Sequence, residues 1–330
     1  MKRFFLLMVV ALIMVSMTGC ISQLKPYKDS RFVMDTLIEI TAYGPNAKEA
    51  VAEAFIEFDR IHAIANQYDP NSQISQVSQA AGIAPVIVDN DLIVMLERSR
   101  ELADELDGAF DITIGPLVEL WGVGSKGDYV PSDKEINQVL PLVNYRLVQV
   151  DKEAKTVFLP RKGMKLDMGG IAKGYATDKA IHILKSKGIA SALVNAGGNV
   201  RVIGTRPDGK PWRIGIQNPR VPDGIAAKLA LTDWDTMETS GDYQRYFMKD
   251  NIRYAHILDP RTGRQPRELA SVTMVINNSA DGDVFSTALF VLGTEKGMEA
   301  LRKFPNVEAV FVNIDGKVTV TAGLERKIEY

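Results

Sequence analysis

The stretch that most constrains the fold covers residues 165–178 and reads KLDMGGIAKGYATD. Its first part alternates apolar and polar residues, which predicts the end of a strand. Gly169 and Gly170 interrupt that pattern, and the apolar residues after them recur at helical spacing. Glycines at a strand-to-helix turn let backbone approach a ligand, and the start of a helix favours an anion. Lys173 would add a positive charge and Asp167 an acceptor, although an ordinary turn with a surface lysine explains the same residues.

The first twenty residues combine a basic start, an apolar run and a small-residue stretch that ends at Cys20. The apolar run is too short to cross a bilayer as a mature helix, so residues 1–19 are predicted to be a signal peptide. The ending Gly19-Cys20 resembles a bacterial lipobox, which implies cleavage before Cys20 and lipidation of that cysteine. Cys20 is the only cysteine in the chain, so it can form no internal disulfide. We predict a lipidated tether over residues 20–30; a plain secretory signal or an uncleaved anchor is the alternative.

Charge argues against a nucleic-acid partner. The 330 residues contain 39 Lys and Arg against 41 Asp and Glu, a formal net charge of -2. A nucleic-acid-binding chain needs a basic patch, and the sequence contains no long run of Lys and Arg.

Periodicity gives a coarse secondary structure. Residues 31–43 alternate apolar and polar side chains and predict one strand, and residues 46–67 predict an amphipathic helix with Asn46 as its N-cap. Further helices are predicted over 281–292 and 295–302. Strands and helices follow one another without strict βαβ alternation, which favours an α+β fold of mixed sheets with packed helices.

One predicted helix contains a pair of oxygen-bearing side chains at helical spacing. Asp283 and Thr287 lie four residues apart and therefore share one face. Oxygen donors without a neighbouring Cys or His fit a hard cation such as Mg²⁺, with water and substrate phosphate completing its shell. The alternative is structural: Asp281 would be the N-cap, Asp283 would interact with the positive end of the helix, and Thr287 would be packed.

His256 lies in a polar turn, HILDPRTG, together with Asp259 and Arg261. The other two histidines, His62 and His182, fall inside helical patterns and are interpreted as structural or exposed. His256 suits general acid–base chemistry or contact with a phosphate, and a plain surface histidine is the alternative.

Several long motifs occur in a fixed order, namely MDT, GAFDITIGPLVELWG, LDMGGIAKGYA, NAGGN, ETSGDYQRYF, HILDPRTG and DVFSTALFVLG. Together they resemble the ApbE family of flavin transferases, the FAD:protein FMN transferases, over essentially the whole mature chain. Residues 31–330 would then form the flavin transferase domain, with the T-fold-like α+β architecture of that family. The resemblance implies binding of FAD and Mg²⁺, and transfer of FMN to a Thr or Ser hydroxyl of a partner protein with release of AMP. Asp35 stands where the family more often has glycine.

The resemblance also implies roles for individual residues. His256 would be catalytic. The metal ligands would be Gly170, through its carbonyl, Asp283 and Thr287. The residues that line FAD would be Met34, Tyr68, Trp121, Asp167, Lys173 and Ile257.

The implied acceptors are subunits of membrane redox complexes, of the Na⁺-translocating quinone reductase and Rnf types. Their acceptor motif resembles D-x-x-(S/T)-G-A-(S/T). Combined with the lipid anchor, this predicts a location in the bacterial cell envelope, on the periplasmic or other extracytoplasmic side of a membrane.

Three other functions stay open at this point. The same site could admit water and act as an FAD pyrophosphatase that gives FMN and AMP. The protein could also be a non-enzymatic FAD-binding lipoprotein. An electron-transfer flavoprotein is less favoured, because no second redox centre is visible in the sequence.

Overall fold

A computed structural model describes residues 25–330. In most of its strands, apolar residues alternate along the chain. The signal peptide predicted over residues 1–19 and the lipidation site Cys20 lie outside the described residues. The strands are β1 Tyr27–Val33, β2 Thr36–Tyr43, β3 Val86–Ile87, β4 Gln149–Asp151, β5 Thr156–Phe158, β6 Ser191–Ala196, β7 Asn199–Ile203, β8 Trp212–Gln217, β9 Ile225–Leu231, β10 Thr236–Gly241, β11 Tyr246–Lys249, β12 Ile252–Ala255, β13 Leu269–Ile276, β14 Glu308–Asn313, β15 Val318–Val320 and β16 Ile328–Glu329.

Seven α-helices accompany these strands in the described part of the chain. They are α1 Ala47–Ala65, α2 Gln73–Gln79, α3 Asn90–Glu105, α4 Gly115–Trp121, α5 Asp133–Val139, α6 Ala172–Ser186 and α7 Ser279–Leu301. Short 3₁₀ turns follow α5 at Leu140–Leu142 and Tyr145–Leu147.

Eight strands form the central sheet, in the order β1-β2-β6-β7-β10-β13-β14-β15. Every neighbouring pair in it is antiparallel. One face packs against α1, α6 and α7 through a large apolar core, and the other face packs against a three-stranded sheet of β8, β9 and β16. The α+β class is therefore confirmed, with helices on one side of the main sheet and a second sheet on the other.

The predicted strand over residues 31–43 is in fact a β-hairpin, and the first strand starts earlier than expected. Tyr27 to Ser30, which lie within the predicted tether, form the first half of β1. The turn of the hairpin consists of Met34 and Asp35, with φ of 56° and 59°. This left-handed conformation favours glycine, yet Met34 and Asp35 adopt it here.

Helix boundaries also differ from the expected ones. Asn46 is at the N-cap position of α1 but makes no capping hydrogen bond, and its side-chain amide instead donates to the carbonyl of Lys187. The two helices predicted at 281–292 and 295–302 correspond to two helical segments of α7, which non-helical backbone at Gly293, with φ of 80°, separates. Asn278, rather than Asp281, caps its start by accepting from the backbone N–H of Asp281.

The segment before α6 is extended but is not part of a sheet. Lys165 makes one isolated parallel bridge with Ile114, and the backbone N–H of Asp167 donates to the carbonyl of Ile112. The predicted strand end is therefore a single extended segment that leads into the turn at Gly169 and Gly170. Among the described residues, no helix has both the length and the apolarity needed to span a bilayer.

Candidate active site

All ten residues assigned to the site from the sequence line one cleft. It opens beside the start of α6 and the end of β10, and its volume is about 250 Å³. Residues far apart in the chain meet there. The ten are Met34, Tyr68, Trp121, Asp167, Gly170, Lys173, His256, Ile257, Asp283 and Thr287.

Asp283 is a deeply buried acid of the cleft. One of its carboxylate oxygens accepts from the backbone N–H of Gly174 at 2.6 Å, and the other accepts from the side-chain amide of Asn199 at 2.7 Å. The ammonium of Lys173 lies 3.5 Å from the same carboxylate. A buried charge is tolerated only when it is paired and hydrogen-bonded, and these three contacts meet that requirement.

The helix start at α6 binds an anion, but that anion is a side chain of the protein. We expected the free amides of the first turn to face a ligand, whereas the N–H of Gly174 is taken by Asp283. The close approach of α6 and α7 makes this bond possible, because a Cβ on Gly174 would lie only 2.0 Å from the carbonyl oxygen of Ser279. Lys173 and the cleft-lining backbone at Gly169 and Gly170 are left to contact a ligand.

The three implied metal ligands converge. A Cβ built on Gly170 would lie 3.4 Å from the hydroxyl oxygen of Thr287, so that hydroxyl lies close to the Gly170 backbone. Thr287 lies one turn after Asp283 and donates to its backbone carbonyl at 3.1 Å. No cluster of three or more His, Cys, Asp or Glu side chains occurs within residues 25–330. A single carboxylate with neutral oxygens suits Mg²⁺, which usually completes its shell with water and substrate phosphates, so the donor set fits that ion.

Gly170 also has a packing reason to be glycine. A side chain there would meet the ring of Phe110 at 2.6 Å. Phe110 lines the cleft and comes from the GAFDITIGPLVELWG segment. The structure therefore places this segment directly against the Gly-Gly turn.

His256 is half-buried at the base of the hairpin formed by β11 and β12. Its ring Nδ1 lies 3.3 Å from the carbonyl oxygen of Arg245, and its backbone N–H donates to the same oxygen at 3.0 Å. A carbonyl only accepts, so Nδ1 carries the proton and Nε2 keeps a free lone pair. Burial of the ring, together with the nearby cations Arg245 and Lys173, lowers the pKa of His256 to about 4.

The remaining predicted residues divide between the rim and the wall. Tyr68 is 71% exposed at the edge of the cleft, where its ring is available to stack on a planar group. The carboxylate of Asp167 accepts hydrogen bonds from the side-chain amide of Gln67 at 2.9 Å and from the backbone N–H of Gly169 at 2.7 Å. Met34 reaches the cleft from the tip of the first hairpin.

Trp121 and Ile257 form the buried part of the wall. The indole N–H of Trp121 donates to the carbonyl of Gly263 at 2.8 Å, so it is already satisfied within the protein. Trp121 packs with Leu258 in a small apolar cluster beneath the loop that follows His256. We therefore expect Trp121 to support that loop more than to contact a ligand directly.

Glu238 is a buried acid next to the site that the sequence did not single out. One of its carboxyl oxygens accepts from the hydroxyl of Thr236 at 2.7 Å, and the other has no hydrogen-bond partner. Burial and the neighbouring charge of Asp283 raise the pKa of Glu238 well above its ordinary value. A neutral Glu238 adds no second negative charge behind Asp283.

The fold and the cleft define an α+β protein whose cleft combines apolar walls with a lysine and buried carboxylates. The model of the ApbE family matches residues 34–311. The chain belongs to the ApbE family.

Relatives and solved structures agree with this membership. An FAD:protein FMN transferase from Klebsiella pneumoniae (strain 342) is 40% identical over 243 residues, which cover 73% of this chain and 75% of the relative. A protein of the same name from Treponema pallidum (strain Nichols) is 31% identical over 335 residues, covering 95% of this chain and 92% of the relative. The crystal structure of the ApbE protein from Thermotoga maritima superposes with a TM-score of 0.85 at 32% identity, covering 92% of this chain and 99% of that one.

The lowered pKa of His256 gives a pH prediction. A histidine whose folded pKa is about 4 stays neutral at pH 7 and becomes charged only as the pH falls through that value. We expect the imidazole NMR signals of His256 to titrate with a midpoint near 4, and a His256→Gln variant to identify those signals by their loss. A midpoint at or above the ordinary value of 6.5 would contradict the described environment.

Proposed function

We propose that this cleft transfers FMN from FAD to a Thr or Ser hydroxyl of an acceptor protein, with Mg²⁺ bound and AMP released. The coarser activity follows from the family, since relatives at 40% and 31% identity are FAD:protein FMN transferases, and the chain is an enzyme of that kind. The observation that supports the finer proposal is the convergence of His256, Lys173 and Asp283 in one cleft.

The charged end of the cleft suits the pyrophosphate of FAD. Lys173 is partly exposed there and lies 3.5 Å from Asp283, so its ammonium can balance that carboxylate and contact a phosphate oxygen. Asp283, Thr287 and the carbonyl of Gly170 would hold Mg²⁺. A bound Mg²⁺ would neutralise charge on the phosphate oxygens and favour displacement at phosphorus.

The reaction exchanges one phosphorus–oxygen bond for another. The acceptor hydroxyl oxygen attacks the FMN-side phosphorus, and the bond from that phosphorus to the oxygen shared with AMP breaks, so AMP leaves with that oxygen. The hydroxyl proton must go to a base. His256 is neutral at pH 7, with Nδ1–H held by the Arg245 carbonyl, so Nε2 can accept it.

The location is a separate part of the proposal. Lipidation at Cys20 would anchor the enzyme to the extracytoplasmic face of a bacterial membrane. Six residues, 21–26, separate Cys20 from the start of β1. Because each residue spans at most about 3.6 Å, the domain would begin within about 25 Å of the anchor. This proximity suits acceptors that are subunits of membrane redox complexes.

Lipidation predicts a clear fractionation result. Two acyl chains or more hold a protein stably on a membrane, whereas an unlipidated domain is released. We expect the parent to sediment with bacterial membranes and Cys20→Ser to lose the acyl mass. The purified Cys20→Ser protein should still modify an acceptor in solution, since the cleft is built from residues beyond 30. An unchanged intact mass for Cys20→Ser would contradict lipidation at this residue.

Two neighbouring aspartates on α7 give a matched test of the metal site. Asp283 faces the cleft, whereas Asp281 makes two 2.7 Å hydrogen bonds with Arg98 and does not line the cleft. We expect Asp283→Asn to lower the transfer rate by about 10²-fold or more and to weaken Mg²⁺ binding, because the acidic ligand of the ion is lost. Asp281→Asn should leave both near the parental value.

The measurements are transfer rate against Mg²⁺ concentration and calorimetric titration of Mg²⁺ into the FAD-bound protein. Full activity of Asp283→Asn at low Mg²⁺ would show that Asp283 is not a ligand of the metal. Equal losses for both variants would show that the acid has been assigned incorrectly.

Intact-mass analysis of an acceptor tests the function itself. The full chain is incubated with FAD, Mg²⁺ and a folded acceptor domain that bears a D-x-x-T-G-A-T motif. We expect the acceptor to gain the mass of one esterified FMN, and a variant with alanine in place of the acceptor threonine to gain none. Release of free FMN and AMP without a change in acceptor mass would favour the pyrophosphatase, and unreacted bound FAD would favour a binding protein.

A further inference from the structure

The hairpin of β11 and β12 has apolar residues on both faces. Phe247 stacks on Tyr254 with ring centroids 5.0 Å apart, and the ring centroids of Tyr254 and Trp121 are 5.8 Å apart. This face of the hairpin therefore packs against the rest of the domain. Side chains alternate along a strand, and Tyr246 and Met248 therefore lie on the opposite face. They are 42% and 47% exposed. The open face of such a sheet is normally polar, so this apolar pair needs a reason.

A second exposed apolar pair lies on the hairpin of β1 and β2. Phe32 and Leu37 are direct cross-strand partners, and they are 74% and 50% exposed. They flank the tip formed by Met34 and Asp35, both of which line the cleft. Exposed apolar side chains of this size at the edge of a site are typical of interaction surfaces.

The two hairpins meet at the entrance of the cleft. Arg245, the residue before Tyr246, forms an ion pair with Asp35 at 3.1 Å. Both residues line the cleft, so both apolar pairs lie beside its opening. We call Phe32, Leu37, Tyr246 and Met248 the mouth surface.

The β11–β12 hairpin is fixed in place by ion pairs at its base. Asp242 accepts two hydrogen bonds from Arg220, both at 2.7 Å, and one from Arg253 at 3.1 Å. The guanidinium of Arg253 also lies 4.2 Å from the centre of the Tyr246 ring. A surface held in this way is present before a partner binds, which lowers the entropic cost of binding.

The ion pairs beside Tyr246 carry an excess of positive charge. They combine the guanidinium groups of Arg220, Arg245 and Arg253 with the carboxylates of Asp35 and Asp242, and Arg245 keeps about half of its side chain exposed. A partner with an acidic residue near its point of attachment would be favoured here.

We propose that the mouth surface is the docking site for the folded acceptor protein. This docking site rests on the proposed function. A protein that delivers a hydroxyl into the cleft must cover the rim around it. The acceptor motif begins with an aspartate, which matches the positive charge, and apolar residues around that motif would cover the two exposed pairs. FAD binding does not need these four side chains, because none of them lines the cleft.

Paired serine variants test the proposal with the full chain. One carries Phe32→Ser and Leu37→Ser, and a second carries Tyr246→Ser and Met248→Ser. The matched control carries Ile83→Ser and Ile87→Ser, two apolar residues that are each 78% exposed and do not line the cleft. The measurements are kcat and KM for FMN transfer to the folded acceptor domain, and FAD affinity from flavin fluorescence.

We expect each mouth variant to raise the KM for the acceptor domain by about tenfold or more, with kcat and FAD affinity near the parental values. The control should match the parent in all three. Parental KM in both mouth variants would overturn the docking site while leaving the transferase function intact. Variants that lose only vesicle binding or self-association, with a parental KM for the acceptor, would also overturn the docking site. A matching loss of FAD affinity would show that the surface binds FAD instead. Failure of the parent to modify the acceptor would overturn the proposed function itself.

Discussion

The carboxylate of Asp283 is the interaction on which the rest of the site depends. It joins the first turn of α6 to α7 through Gly174, joins both helices to the central sheet through Asn199, and lies beside the ammonium of Lys173. Asn199 in turn accepts from the backbone N–H of Thr239 on β10, so the network continues into the sheet. A buried carboxylate without these partners would be strongly destabilising. The same carboxylate therefore connects the two helices and lines the cleft.

A polar stripe on β10 brings further groups to this point. Thr236, Glu238 and Ser240 alternate along the strand and face α7, where Thr236 contacts Ser279 at 3.0 Å and Ser240 contacts Ser286 at 2.9 Å. Such a stripe is unusual between a helix and a sheet, where apolar residues normally pack. The raised pKa of Glu238 favours its neutral form, which leaves Asp283 as the main negative charge in this part of the interface. Asp283 is then the charged acid of this interface that lies beside Lys173.

Local patterns predicted the parts of the site that depend on local spacing. The one-turn separation of Asp283 and Thr287, the Gly-Gly turn before α6 and the polar turn after His256 could all be recognised in the sequence. The hairpin tip at Met34 could not, because the flanking residues alternate like one strand and the turn contains neither Gly nor Asn. Glu238 was missed because polar residues at every second strand position, here Thr236, Glu238 and Ser240, usually indicate a solvent-exposed face. The acceptor of the hydrogen bond from the Gly174 N–H is determined by the distance between α6 and α7, and no local sequence pattern encodes that distance.

The site also divides into a rigid interior and an exposed rim, and this division follows from the elements that carry the residues. Asp283, Thr287 and Lys173 are on two packed helices, where backbone hydrogen bonds and the apolar core fix their positions. Met34, Asp35 and Arg245 are at the ends of two hairpins, where one surface ion pair holds the rim together. Surface ion pairs contribute little to stability, at most about 1 kcal/mol, so this contact can be exchanged at small cost. The charged groups on the two helices are therefore held more firmly than the contact between the two hairpins at the entrance of the cleft.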